Sequence, residues 1–175
     1  MIEWNNFYGA ILIDWDFQDS QNYIKNELIK ENFYYFHPAI FSTGINEYPY
    51  YYDDMLFSFG RTAKYLACET RELYNFITEF EKILNNLNFV NAQIRMDTDY
   101  ANYDLFWVNK KNKRKNSEHN EIIQQFKEQN VKYFESENFY FGIGEIDLHT
   151  SWVETYNEEK IQEFENWYPD FKYPF

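Results

Sequence analysis

A chain of 175 residues has the length of one domain, able to bury roughly 70% of the surface its unfolded form exposes. It carries 29 acidic against 16 basic side chains, a formal charge of −13, and 23% of it is Phe, Tyr or Trp. That charge argues against binding nucleic acid directly or an anionic membrane, since both select basic surface. The hydrophobic fraction of 45% argues against disorder.

The first six residues have neither a basic region nor a long apolar stretch, so no signal peptide is expected. The apolar run at 9–13 is far shorter than the ~20 residues a membrane span needs. Cys68 is the single cysteine, which excludes an intrachain disulfide and fits a reducing compartment. The expected location is therefore cytoplasmic.

Residues 7–17 read as an interior strand, with Phe7, Ile11, Ile13, Trp15 and Phe17 on one face and Tyr8, Ala10 and Leu12 on the other. Asp19 and Ser20 offer an N-cap for a helix reaching about Glu31, with Tyr23, Ile24 and Leu28 inward. Residues 33–41 look extended, and a loop with Pro49 follows. Residues 54–66 alternate as a half-exposed strand, with Met55, Phe57, Phe59, Ala63 and Tyr65 inward. The clearest helix spans about 70–87, where Leu73, Phe76, Ile77, Phe80, Ile83, Leu84 and Leu87 form one stripe.

Two strands, at 89–96 and 103–109, are joined by an acidic turn. A basic break (Lys110, Lys111, Lys113, Arg114, Lys115) leads into a short helix at 117–129 with Ile122, Ile123 and Phe126 inward. Residues 131–134 and 139–149 are strand-like. Thr155 and Glu158 make a capping-box pattern for a last helix, ended by Pro169. The resulting fold class is α+β, a single domain over residues 1–175 with a mostly antiparallel sheet and helices on one face. Its first half has the β-α-β-β-α-β order of a ferredoxin-like unit.

Chemistry-bearing residues fall in a few places. Period-2 geometry along the expected strand puts Glu145, Asp147 and His149 on one face, a set suited to a divalent metal or to acid–base work. Asp14 and Asp16 alternate similarly and are candidates to join them. The same row also reads as the wet side of an amphipathic strand over Ile146 and Leu148. His37, held extended by Pro38, reads as structural, and no zinc pattern appears. The segment 97–104 partly follows a calcium loop but has Asn102 at the glycine position and Val108 where the closing glutamate belongs. It reads better as a turn whose Asp97, Asp99 and Asp104 form an acidic knob. Tyr50, Tyr51, Tyr52, Asp53 and Asp54 mix stiff rings with carboxylates, the chemistry of a binding hot spot for Lys or Arg. No phosphate loop, nucleophile elbow or cofactor signature is present, so no cofactor is expected.

In being acidic, aromatic-rich and single-domain, the chain resembles bacterial immunity proteins of polymorphic or contact-dependent toxin systems. The resemblance lies in composition and implies an inhibitor of a basic, nuclease-type toxin. Two alternatives stand beside it: a phage-type anti-defence protein that mimics nucleic-acid charge, and a metal-dependent enzyme using Glu145, Asp147 and His149.

Overall fold

The computed structural model describes residues 4–14, 16–44, 55–99, 101–112, 116–148, 153–155 and 158–175. In chain order the elements are β1 (Asn5–Ile13), α1 (Gln18–Asn22), β2 (Phe41–Ser42), β3 (Met55–Ala63), α2 (Thr70–Leu84), β4 (Phe89–Asp97) and β5 (Asn102–Asn109). They continue with α3 (Asn116–Glu128), β6 (Lys132–Glu135), β7 (Phe139–Ile143), β8 (Glu145–Ile146), β9 (Val153–Thr155) and α4 (Glu158–Trp167). Seven strands form one sheet in the spatial order β2-β3-β1-β4-β5-β7-β6, and β8-β9 make a separate two-stranded ribbon. Every pairing is antiparallel. The β-α-β-β-α-β order through β4 is present, and its strands stand as β2-β3-β1-β4 with β3 antiparallel between the parallel β1 and β2, the arrangement of a ferredoxin-like split β-α-β unit.

The sheet has a main face, which holds most of the aromatic side chains. Leu73, Phe76, Ile77, Phe80, Ile83 and Leu84 of α2 are all buried, as their helical spacing requires. They meet Phe7, Ile11, Phe57, Phe59, Met96, Leu105, Trp107 and Phe141 from alternate strand positions. Phe36 stacks on Phe80 at 5.2 Å, and Phe80 meets Trp107 edge-on at 4.7 Å. The buried indole donates Nε1–H to Glu81 Oε1 at 3.0 Å, which satisfies its polar edge. Burial pushes the Glu81 carboxyl above its ordinary range, and the bonds from Tyr173 and Trp107 only partly offset this. Residues 17–28 add Phe17, Ile24 and Leu28 to this core, and α4 adds Phe164.

The reverse face is only partly covered. Phe106 and Val108 of β5 pack with Ile122 and Phe126 of α3, Val131 and Ile146 in a small second core. The Phe106 ring lies on bare backbone at Gly142, where an added Cβ would come within 2.2 Å of it. The β1–β3 half of that face carries the exposed Tyr8 and Leu56.

Several expectations need correcting. The helix expected to run from Asp19 to Glu31 is one α turn that passes through a π turn (Tyr23–Glu27) into a 3₁₀ turn (Leu28–Glu31). Buried Ser20 and Gln21 fix its start, accepting from Asn88 N and donating to Thr43 O, and the winding changes beyond them. Residues 33–40 do not pair as a strand. The backbone N–H groups of Tyr34 and Tyr35 are instead taken by the Glu79 carboxylate, each at 2.9 Å, and Arg61 takes the Tyr34 carbonyl. Tyr65 is exposed, because β3 ends at Ala63 and the alternation ends with it.

Candidate partner-binding surface

At one end of the sheet the β4–β5 hairpin, the start of β1 and the end of β3 come together. Asn5, buried among polar partners, ties them: its Nδ2 donates to Lys64 O and its Oδ1 accepts from Asp99 N at 2.9 Å. The hairpin turn is closed by Thr98, whose Oγ1 donates to Ala101 O at 2.7 Å and accepts from Ala101 N at 2.9 Å. Around this end stand Trp4 (61% exposed) and Tyr65 (59% exposed). Tyr8 (52% exposed) lies further along β1, in register with Gly60 on one side and Arg95 on the other. Because Gly60 has no side chain, the flank of the Tyr8 ring toward β3 is open; a Cβ there would sit 3.2 Å from Tyr8 Cβ.

Arg95 organises the carboxylates. It donates Nε to Asp97 Oδ1 at 3.0 Å and Nη1 to Asp104 Oδ2 at 2.9 Å. Glu145 and Lys160 join Arg95 and Asp104 around a small pocket of about 140 Å³. Desolvation raises the Asp104 pKa; Arg95 pulls it back down, while Glu145 and Asp97 push it up. Asp97 and Asp104 therefore form a knob with a built-in cation, the Arg95 guanidinium. Asp99 is exposed at the hairpin tip. Next to this group, Tyr8, Ala10, Ser58, Gln93, Arg95, Ile146 and Leu148 line a shallow groove of about 410 Å³ on the open part of the reverse face.

The unbroken strand expected to carry Glu145, Asp147 and His149 is interrupted at Gly144. Gly144, at φ 143°, takes the chain out of the sheet, and its N–H donates to Asp104 O at 2.9 Å. The register shifts between Glu145 and Ile146, and β8 ends at Ile146, so Asp147 lies beyond the strand. Ile146 N donates to Gln93 Oε1 and Asn91 Nδ2 donates to Leu148 O, which holds this segment across the reverse face. Glu145 is exposed beside Asp104, whereas Asp14 is buried at the other end of the sheet against Asn112. They share no site. Among the described residues no group of three His, Cys, Asp or Glu is placed to hold a metal ion.

His149 and the run Tyr50, Tyr51, Tyr52, Asp53 and Asp54 lie outside the described residues. His37 has a structural task, its Nδ1 accepting from Ala39 N at 3.0 Å to cap a 3₁₀ turn. Burial raises the Cys68 thiol, which opposes thiolate chemistry there. Lys110 of the basic break pairs with Glu135 and caps Ser136 O, an intramolecular counter-charge. Sequence reasoning passed over Arg95 and Gln93. Their signal was present, as polar side chains alternating with Ala92, Ile94 and Met96 along a strand.

Among the described residues, no helix is long and apolar enough to cross a membrane. Comparisons of the chain with protein-family models, with curated proteins and with solved structures find no match.

Proposed function

We propose that the protein is an acidic, aromatic-rich binding protein that neutralises a basic protein partner, acting as a bacterial immunity protein against a cognate nuclease-type toxin. The observation that carries this reading is the juxtaposition of Trp4, Tyr65 and Tyr8 with the Asp97–Asp99 hairpin and the Asp104–Glu145 group. Rings of this kind bury large area at low entropic cost when a partner closes over them. Carboxylates already held by Arg95 need no reordering to meet a partner's Lys or Arg. With a formal charge of −13, long-range attraction speeds encounter, up to about 10⁸–10⁹ M⁻¹s⁻¹ at low salt. The carboxylates occupy positions that substrate phosphates take on the toxin. The tyrosines and aspartates at 50–54 extend the same chemistry.

The test is co-expression with any secreted nuclease-type toxin that sequencing of the gene's neighbourhood finds, scored by growth and by binding at low and high salt; a neighbourhood without one counts against the reading. The wild-type chain restores growth and binds the toxin, with association slowing as salt rises. The triple replacement Trp4→Ala, Tyr8→Ala, Tyr65→Ala keeps its melting temperature and loses protection. A wild-type chain that neither binds nor protects removes the immunity reading.

A further inference from the structure

The opposite end of the sheet holds a cleft of about 770 Å³, within the range of roughly 300–1,000 Å³ typical of ligand pockets. Its rim is rich in asparagine. The α2–β4 turn contributes Asn85, Asn86 and Asn88, the end of β5 contributes Asn109, the chain after it Asn112, and the β6–β7 turn contributes Asn138.

Local bonds preset several of these amides. Asn109 and Asn112 both donate to Phe89 O, at 2.8 and 3.2 Å. Asn112 also donates to Asp14 Oδ2 at 3.2 Å, and Asn138 Nδ2 donates to Asn85 Oδ1 at 3.0 Å. Unused capacity remains. Asn138 Oδ1 is buried with no hydrogen-bond partner among the described residues, an acceptor in want of a donor. Asn85 Nδ2 and the carboxamide of Asn88 make no hydrogen bond among the described residues. Among the described residues the ionisable groups on the lining are Asp14 and Lys111, one of each sign, although the whole chain stands at −13. Leu84, Leu87, Phe89 and Phe139 form the floor.

We propose that this cleft is a binding site for a neutral, hydroxyl-rich ligand, a short saccharide. Each hydroxyl both donates and accepts, which matches carboxamides offering both kinds of atom. The C–H face of a sugar ring suits an apolar floor. Among the described residues, one carboxylate and one ammonium on the lining favour neither sign of ligand charge.

The test follows the side-chain NH₂ resonances of Asn85, Asn88, Asn109, Asn112 and Asn138 by NMR during titration of maltotriose, cellotriose and triacetylchitotriose. Pentaglycine and inorganic phosphate serve as comparison probes. A trisaccharide shifts these signals saturably with Kd about 1 mM or tighter. Asn88→Ala and Asn138→Ala each weaken it by roughly three- to tenfold, the loss of one neutral hydrogen bond. Asn88→Ala touches only an exposed, unbonded side chain, so it decides the matter if Asn138→Ala fails to fold. The proposal is overturned if no trisaccharide moves the signals, if pentaglycine or phosphate moves them and the saccharides do not, or if affinity is unchanged in Asn88→Ala.

Discussion

The two faces of the sheet are made from the same kinds of side chain and have opposite fates. On the main face Phe7, Phe36, Phe59, Phe76 and Phe80 form one connected network of rings, sealed by α2 and reached by no solvent to speak of. Among the described residues, on the reverse face α3 covers the β5–β7 corner and the 145–148 segment crosses β4, while Tyr8 and Leu56 stand in the open. A count of aromatic residues cannot separate these roles. Position relative to a covering helix does, and binding chemistry is left where no helix arrives.

The largest expected effect tests the main face. Phe80→Ala removes a ring packed against Phe36, Phe59 and Trp107, and should cost about 3–5 kcal/mol in denaturant unfolding. Phe126→Ala, in the smaller reverse core against Phe106 and Tyr133, should cost less, about 2–3 kcal/mol, because a shallow cluster collapses more readily into the space. Hydrogen exchange should then rise over α3, β6 and β7 while α2 stays protected. Equal costs, or loss of protection in α2, would mean that the two cores unfold as one unit.

A pH experiment isolates the reverse-face ion group. The Asp104 pKa is raised in the folded state, so this group's stabilising contribution is full below its unfolded pKa and is lost as pH rises through the folded value. Arg95 limits that loss. Arg95→Met should therefore destabilise by about 1–2 kcal/mol at pH 7, a modest figure because both groups touch solvent. The deficit should shrink as pH falls into the carboxylate range and Asp104 takes up its proton. A deficit independent of pH would assign the effect to lost packing of the arginine stem.

How much of this is legible in the sequence depends on what enforces each feature. The α2 stripe is legible because six apolar residues at helical spacing admit one arrangement, although the helix ends at Leu84 and leaves out Leu87, and β3 because its alternation is clean up to Ala63. The β2-β3-β1-β4 arrangement follows from the ferredoxin-like order along the chain, whereas the continuation of the sheet through β5, β7 and β6 does not. The unbroken strand expected over 139–149 fails for a local reason: Gly144 permits a positive φ that takes the chain out of the sheet, and a glycine in a strand pattern is compatible with continuation or exit. The asparagine cleft is scattered over residues 85–138 and becomes a site only when the strand ends are brought level. Asn5 is likewise invisible as a staple until the hairpin tip reaches it.

The smallest expected effect bears most directly on function. Tyr8→Ala should change stability by no more than about 0.5 kcal/mol, because half of the residue already faces solvent and its neighbour Gly60 packs no side chain against it. Phe7, the residue before it, points to the main face, where it meets Phe36 at 5.3 Å and Phe76 at 5.0 Å. Phe7→Ala should therefore unfold much of the protein, at about 3–5 kcal/mol. Adjacent rings on one strand thus separate folding from recognition. Thermal melts and toxin binding measured on the two variants should give a stable non-binder for Tyr8→Ala and an unstable chain for Phe7→Ala. If Tyr8→Ala binds like wild type, the open part of the reverse face is not the contact surface, and the residues at 50–54 become the first place to look.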